Sequence, residues 1–357
     1  MKRLINIVLI ISMLVLGGCA SGSTPPSLVE DKGEQIVVTQ EESTEVSEDE
    51  ATDSDTKDET PIEDENELEK PVAKTPKSNQ QINLTISQNF GQLTVFNQAI
   101  NFNSDDTLLQ LMQNNLDLET SYGNSFISSI NGIKMRQGMK RSDWFFYING
   151  IASHTGLRDY KLNAGDKIFW DYHLWSAGPT NNAIIGAYPE PFLHGYRGNI
   201  NPTKILYDTD SQALAQKLTV SLNNRGVRVD NNLISNNIDS SGPTIIIGTW
   251  PKLANNSAVN NINNGYQKNG TSVHFTDQGL DLLNYKGQVA RTVMANSAVI
   301  AAYGKSLGDP NPVWLIIGTD ELALNKAINI LINSPGDIRG LYSIAILAEG
   351  LTPLPLK

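Results

Sequence analysis

The chain has 357 residues, of which 39% are hydrophobic and 18% are charged, and its formal net charge is −11. It contains one cysteine, so an internal disulfide is excluded. The part of the chain after residue 80 is neutral overall and has no basic cluster, which argues against nucleic acid as a partner.

The first 18 residues have the pattern of a signal peptide. Lys2 and Arg3 supply positive charge, and the run from Leu4 to Leu16 is apolar except for two residues. A run of this length is typical of a signal-peptide core and is too short to span a bilayer as a stable helix. We therefore expect residues 1–18 to direct export and to be removed.

The residues at the end of this run carry a second signal. Leu16-Gly17-Gly18-Cys19 resembles the lipobox that bacterial signal peptidase II recognises. The resemblance implies cleavage before Cys19 and lipidation of its thiol, which would anchor the protein at the extracytoplasmic face of the cell membrane. The alternative is a free cysteine that follows an ordinary secretory signal.

Residues 19–80 are strongly acidic. The segment 20–80 contains 18 aspartates and glutamates against five lysines, a net charge of −13. Few large apolar residues occur there, so we expect a disordered tether. A coil of this length reaches about 45 Å, and repulsion between like charges extends it further. A solvated spacer is one interpretation, and an acidic tail that binds metal or peptide is the other.

Residues 81–177 are expected to form the first folded domain. Ile82, Leu84 and Ile86 alternate with polar residues, as in a strand with one buried face. Ser104-Asp105-Asp106-Thr107 predicts the start of a helix, because side-chain oxygens there can accept hydrogen bonds from the first-turn amides. Further strands are expected near 93–96, 100–102, 126–130, 144–148 and 167–172.

The later strands of this domain carry a pattern with a known counterpart. Trp144-Phe145-Phe146-Tyr147-Ile148-Asn149-Gly150 is followed by Ala164-Gly165-Asp166-Lys167-Ile168 and by Trp170-Asp171-Tyr172. This pattern resembles the C-terminal β-grasp domain of transcobalamin and intrinsic factor, and a bacterial domain of unknown function similar to it. The resemblance covers about residues 82–175 and implies an α+β, β-grasp-like fold. Asn149-Gly150 independently favours a tight hairpin turn.

The resemblance implies that the aromatic hairpins bind a small ligand, with a corrinoid as the specific ligand. The expected ligand-binding residues are Trp144, Phe146, Tyr147, Trp170, Tyr172, His173 and Trp175. Since alternate strand residues face opposite sides of a sheet, half of them are expected to be core residues. His173 and Trp175 lie near the strand end, where a ligand can reach them. His154 is either a cobalt ligand or a solvated loop histidine.

Residues 178–357 are expected to form a second domain, of the α/β class. Short apolar strands are predicted near 204–207, 244–247 and 313–317, and helices near 211–222, 253–266 and 321–332. Apolar strands that alternate with helices predict a mostly parallel sheet covered on both faces.

Two segments of this second domain are alike. Thr244-Ile245-Ile246-Ile247-Gly248-Thr249 and Trp314-Leu315-Ile316-Ile317-Gly318-Thr319 each precede a helix. We expect them on neighbouring strands, with Gly248 and Gly318 at the carboxyl ends, where ligands bind in open α/β sheets. Neither glycine belongs to a G-x-G-x-x-G motif, so no nucleotide cofactor is expected.

The sequence offers little for catalysis. It has four histidines and lacks H-E-x-x-H and G-x-S-x-G motifs. Asp208 and Asp210 are candidates for a cation site or for a glycan-active enzyme, but Asp210 and Ser211 are expected instead to cap the following helix. No catalytic residue and no metal ligand is therefore assigned.

Together these features predict a lipid-anchored, non-enzymatic surface protein that captures a small ligand, with a corrinoid as the specific case, for uptake through a membrane transporter. The alternative is a structural or adhesive module that binds protein or wall polysaccharide.

Overall fold

The computed structural model describes residues 80–134, 141–175, 178–239 and 241–357. The predicted signal peptide, Cys19 and the acidic tether lie outside these residues. The described residues fold as a mixed α/β structure that is built mostly from strands. None of their helices is long and apolar enough to cross a membrane.

The first part of the structure contains one helix and seven strands. The elements are β1 (Gln80–Gln88), β2 (Leu93–Phe102), α1 (Leu108–Asn115), β3 (Leu118–Ser121), β4 (Phe126–Ile130), β5 (Ser142–Ile148), β6 (Ile151–Ala152) and β7 (Lys167–Leu174). Five of the strands form one sheet in the order β2-β1-β7-β5-β6, and β3 pairs with β4 in a separate hairpin. β1 is an inner strand, antiparallel to β2 and parallel to β7.

The helix α1 packs on one face of this sheet. Ile82, Leu84 and Ile86 point from β1 into a core that contains Leu108 and Met112 of the helix. The predicted strand is thus confirmed, but its other face is buried as well at Thr85 and Ser87.

The predicted start of α1 is also confirmed. The Thr107 side chain accepts from the amide of Gln110 at 3.2 Å, and the Gln110 side chain accepts from the amide of Thr107 at 2.9 Å. This reciprocal pair is a capping box, which satisfies two amides that the helix itself leaves unpaired.

The second part contains four helices of α type, one 3₁₀ helix and ten strands among the described residues. The elements are β8 (Thr203–Tyr207), α2 (Gln212–Asn223), β9 (Val229–Leu233), β10 (Thr244–Thr249), α3 (Trp250–Leu253), α4 (Ser257–Asn264), β11 (Val273–Thr276), β12 (Gly279–Leu283), β13 (Val289–Val293), β14 (Ala298–Tyr303), β15 (Val313–Gly318), α5 (Glu321–Asn333), a 3₁₀ helix (Pro335–Ile338), β16 (Ser343–Leu347) and β17 (Gly350–Leu354).

The large sheet is mixed, which corrects the prediction of a mostly parallel sheet. Its order is β17-β16-β14-β15-β10-β8-β9. The strands β9, β8, β10 and β15 are parallel, whereas β14, β16 and β17 join by antiparallel pairing. The physical reason is the short connection from Tyr303 to Val313, because a parallel crossover needs about a dozen residues or more.

Both faces of this sheet are covered, as predicted. On one face, Ile245 and Ile316 pack against Leu218 of α2 and Leu324 of α5. On the other face, the three-stranded sheet of β11, β12 and β13 packs against the alternate strand residues. The second cover is thus largely a small sheet, for which the sequence analysis had no prediction.

The two alike segments do lie on neighbouring strands. β10 pairs in parallel with β15, and Gly248 lies opposite Ile317 in that pairing. The helix predicted for 253–266 is wrong in its bounds: the chain forms α3 and then α4, because the Asn256 side chain accepts from two amides and starts a new helix there.

A close backbone joint forms where two loops of the second part, at Gly186 and Gly340, meet the turn after β1. The Gly340 amide donates to the carbonyl oxygen of Gly186 at 3.0 Å. A Cβ on Gly186 would lie 2.4 Å from the Gly340 backbone, and one on Gly91 would lie 1.8 Å from the Gly340 oxygen. Around it, Phe90, Tyr147 and other residues of the first sheet share a core with residues of the second part, namely Ile184, Ala187 and Tyr342. The joint therefore requires residues without side chains.

Candidate ligand-binding site

A cavity of about 700 Å³ lies beside the outer edge of β5. Within β5, β6 covers only Tyr147 and Ile148, and the preceding β5 residues 143–146 line the cavity. The volume falls in the range of about 300–1,000 Å³ that is usual for small-molecule sites. The cavity is therefore the right size for a small ligand.

Six of the seven residues predicted from the sequence line this cavity. They are Trp144, Phe146, Tyr147, Trp170, His173 and Trp175. The seventh, Tyr172, lines an adjoining cavity of about 430 Å³ that shares Trp144 and Trp175 with the first. The structure thus brings the whole predicted set to one end of the sheet.

The cavity receives side chains from both faces of the sheet. Trp144, Phe146 and Trp170 belong to the core under α1, whereas Tyr147 belongs to the core shared with the second part. Alternate residues of a strand face opposite sides of the sheet. Side chains from both faces can therefore line one cavity only where that cavity extends around an edge of the sheet. Trp144, Trp170 and Tyr147 are thus core residues, as about half of the set is expected to be, and they also line the cavity.

Stacked rings form the wall on the α1 side. Phe146 and Trp170 are stacked with ring centroids 4.5 Å apart and an angle of 5° between the planes. Trp144 contacts Tyr172 with centroids 5.1 Å apart. The indole N–H groups of Trp144 and Trp170 are buried, with no hydrogen-bond partner among the described residues. Both indole rings line the cavity.

His173 forms the opposite wall and is held rigidly. Its ring stacks on Phe145 at 3.9 Å and on Phe90 at 4.1 Å between centroids. Its Nδ1 is 2.7 Å from Oδ2 of Asp171. The residue is only 3% exposed and lines the cavity.

Asp171 organises this wall, and the sequence analysis did not single it out. Its carboxylate accepts from Ser87 Oγ at 2.6 Å and from the amides of Phe90 and Gly91 at 2.9 Å each. Together with His173, it therefore fixes the turn after β1. The contact to Ser87 joins residues 84 positions apart, so no local pattern could reveal it.

Tyr147 is a neutral polar group at the base of the cavity. Its hydroxyl donates to the carbonyl oxygen of Asn181 at 3.0 Å. Burial raises the pKa of the Tyr147 hydroxyl far above its ordinary value, and the charge of Asp171 adds to this effect. Tyr147 therefore stays protonated at physiological pH.

Trp175 lies at the mouth of the cavity. It is 41% exposed, and the Arg141 guanidinium lies 5.5 Å from its ring centroid. Polar side chains at the rim include Asp143, Ser153, Thr155 and Asn182. These side chains can therefore hydrogen-bond polar groups of a ligand whose apolar part contacts the rings.

His154, considered above as a cobalt ligand, makes other contacts. Its Nδ1 is 3.1 Å from the hydroxyl oxygen of Tyr196, and its Nε2 is 3.5 Å from a nitrogen of Arg197. Within the described ranges, no group of three or more His, Cys, Asp or Glu side chains has the arrangement of a metal site.

Asp208 has a structural role at the ends of β8 and β10. Its Oδ1 accepts from the amides of Asp210 and Ser211, and its Oδ2 accepts from the amide of Thr249 at 2.8 Å. Ser211 occupies the N-cap position of α2, as predicted, but its side chain makes no cap bond, and Asp210 pairs with Lys252. Asp208 instead holds the turn that precedes the helix, through the amides of Asp210 and Ser211.

Comparison with known proteins gives one family match. Solved structures that resemble parts of the chain include a Ruminococcus gnavus protein described as a candidate metal-binding protein. It has 18% identity and a TM-score of 0.21, and the match covers 26% of this chain and 95% of that one. They also include haptocorrin in complex with Cbi, with 15% identity and a TM-score of 0.23, where the match covers 28% of this chain and 27% of that one. The chain thus spans about a quarter of haptocorrin. No curated protein matches. Residues 105–174 match the domain of unknown function DUF4430, and this segment contains every predicted ligand-binding residue except Trp175.

Proposed function

We propose that this protein is a lipid-anchored surface protein that binds a small ligand with a large apolar face in the aromatic cavity, and that the ligand is a corrinoid. The observation that carries the proposal is the cavity of about 700 Å³, whose walls are the stacked rings of β5 and β7. The resemblance of these strands to the transcobalamin C-terminal domain motivates the choice of corrinoid.

The chemistry of the walls suits such a ligand. Flat aromatic faces pack against an apolar macrocycle, whereas the rim residues Asn182, Ser153 and Thr155 can hydrogen-bond its polar periphery. Tyr147 and the buried indoles add no charge to the walls, so apolar contact dominates the binding there.

The remaining parts of the proposal concern fold and location. We assign the first sheet with α1 across it to the β-grasp class, on its strand order and on the sequence resemblance. Lipidation of Cys19 would hold the protein at the extracytoplasmic face of the membrane, and the acidic tether would give it reach. In this scheme the protein passes its ligand to a membrane transporter and catalyses no reaction.

Tryptophan fluorescence tests the binding step. Three of the five tryptophans, Trp144, Trp170 and Trp175, line the cavity. Titration of the full-length protein in detergent with cobinamide or cobalamin should quench this fluorescence, after correction for light absorbed by the ligand. Trp175→Ala should weaken binding about tenfold, because an exposed aromatic contact is lost without damage to the core.

Trp250 provides the matched control. It stacks on Phe275 in the second part, away from the cavity. Trp250→Phe should therefore leave the affinity unchanged. Absence of quenching at high micromolar corrinoid would contradict the corrinoid assignment, and retention of the protein on purified cell wall would then favour an adhesive role.

A further inference from the structure

A second cavity, of about 360 Å³, lies at the start of β7. It is bordered by Lys167, by the segment around Gly186 and Tyr188, by Arg225 after α2, and by Arg339 after the 3₁₀ helix. It therefore lies where loops of the second part meet the inner strands β1 and β7 of the first sheet. We call it the cationic pocket.

The lining of the cationic pocket has an unbalanced charge. Lys167, Arg225 and Arg339 line it, and no acidic side chain does. Among the described residues, none of these three cations takes part in an ion pair. Cationic side chains at a protein surface usually pair with a carboxylate or lie apart from one another. Three of them that line one cavity therefore indicate a site for a negative group.

Lys167 lies close enough to Arg225 and Arg339 for their charges to affect its pKa. Its ammonium donates to the carbonyl oxygen of Tyr188 at 2.7 Å, which leaves two of its three N–H groups for other acceptors. Burial lowers the pKa of Lys167, and the nearby Arg339 and Arg225 lower it further, while Glu190 acts in the opposite sense. Glu190 is itself engaged by His194, at 2.6 Å.

The two arginines are positioned by the fold. The Arg225 guanidinium lies 5.8 Å from the ring centroid of Tyr188. Arg339 precedes Gly340, whose amide donates to the oxygen of Gly186 in the close joint between the two loops. The backbone that carries Arg339 is therefore fixed, and an anion would bind without reorganising it.

We propose that the cationic pocket binds a phosphate group, through the forked N–H groups of Arg225 and Arg339 and the ammonium of Lys167. Arginine binds phosphate with two parallel hydrogen bonds, and lysine adds a compact charge. The cavity volume is within the small-molecule range of about 300–1,000 Å³, so the phosphate can carry an organic part. This site is separate from the aromatic cavity and does not depend on what binds there.

Calorimetric titration of the full-length protein in detergent tests the proposal, with inorganic phosphate and glycerol 3-phosphate as the probes and sodium chloride at matched ionic strength as the reference. We expect both phosphates to bind. The double variant Arg225→Gln with Arg339→Gln should lower the affinity at least tenfold. Both arginines are exposed, so the variant should fold, and circular dichroism with a melting curve checks this.

Arg291→Gln is the matched control, because Arg291 is an exposed arginine paired with Glu349 elsewhere on the surface. It should bind phosphate as the parent protein does. Tighter binding of glycerol 3-phosphate than of inorganic phosphate would support a site that also holds the organic part, and the reverse order would support a site for the bare group. Equal heats from phosphate and chloride, or unchanged affinity in the folded double variant, would overturn the proposal.

Discussion

The aromatic cavity and the cationic pocket border the same strand but are built in different ways. β7 begins with Lys167 at the cationic pocket and continues with Trp170 and His173 along the aromatic cavity. The aromatic walls are buried and joined by a hydrogen-bonded network, whereas two of the three cations stand exposed on loops. Several side chains that line the aromatic cavity are thus also core residues, whereas the exposed arginines of the cationic pocket belong to no core cluster.

The largest expected effect is at Asp171. Asp171→Ala leaves a serine hydroxyl, two backbone amides and His173 without their shared acceptor. Each buried unsatisfied group costs about 1–3 kcal/mol, so we expect the free energy of unfolding to fall by about 4 kcal/mol. Urea denaturation measures it. Asp277→Ala, at an exposed turn, is the control, and a loss at Asp171 below about 1 kcal/mol would show that the network does not hold the aromatic wall.

A second prediction tests whether the joint beside the cationic pocket is also rigid. Gly186→Ala would place a Cβ 2.4 Å from the Gly340 backbone, so the two segments must separate. We expect a loss of about 2–3 kcal/mol in unfolding free energy. Gly336→Ala is the control, since a Cβ there meets nothing within 4 Å. Similar melting temperatures for the two variants would show that the joint yields easily.

A smaller effect is expected at Tyr147. Tyr147→Phe removes the hydroxyl that donates to the oxygen of Asn181 and keeps the ring in its core. The net loss of one such hydrogen bond is about 1 kcal/mol. Tyr122→Phe, at an 86% exposed position, should change nothing measurable by chemical denaturation. No difference between the two variants would mean that water or another donor replaces the lost hydroxyl.

The smallest effect is a pH dependence near the cationic pocket. The hydrogen bond to Glu190 raises the pKa of His194 above its ordinary value of 6.5. A raised folded-state pKa means that the folded protein binds the proton more tightly than the unfolded chain. The resulting stabilisation is complete below pH 6.5 and is lost as the pH rises through the folded-state pKa.

Comparison of the parent protein with His194→Gln measures this effect. The difference in unfolding free energy between them should be larger at pH 5.5 than at pH 8.5. A difference that stays constant over this range would show that the pair contributes no protonation-dependent stability.

Features with a local signal could be predicted from the sequence. Thr107 and Gln110 stand three residues apart, so the start of α1 was predictable. Asn149 and Gly150 form the hairpin turn, both at positive φ of 51° and 78°. The aromatic residues of β5 and β7 belong to one antiparallel pair, in which Phe146 lies opposite Trp170. Alternation along two paired strands thus indicated most of the aromatic cavity.

Features assembled from distant residues had no such signal. The cationic pocket combines residues of β1, β7, the loop after α2 and the loop after the 3₁₀ helix. The antiparallel half of the large sheet depends on a short connection, and the sequence pattern of a fully buried strand does not show the direction of its neighbour. Propensity and periodicity describe single helices and strands. They therefore do not predict which strands pair or which loops meet.

The placement of β1 has a mechanical consequence. β1 begins at Gln80 and lies between β2 and β7, so the preceding chain enters the fold through an inner strand. Tension applied from that end acts along the strand and loads the hydrogen bonds to both neighbours together, in shear. Strands loaded in this way must break many bonds at once rather than one after another. If the protein is held by its N-terminal segment, the first strand to carry the tension is thus one whose hydrogen bonds resist it together.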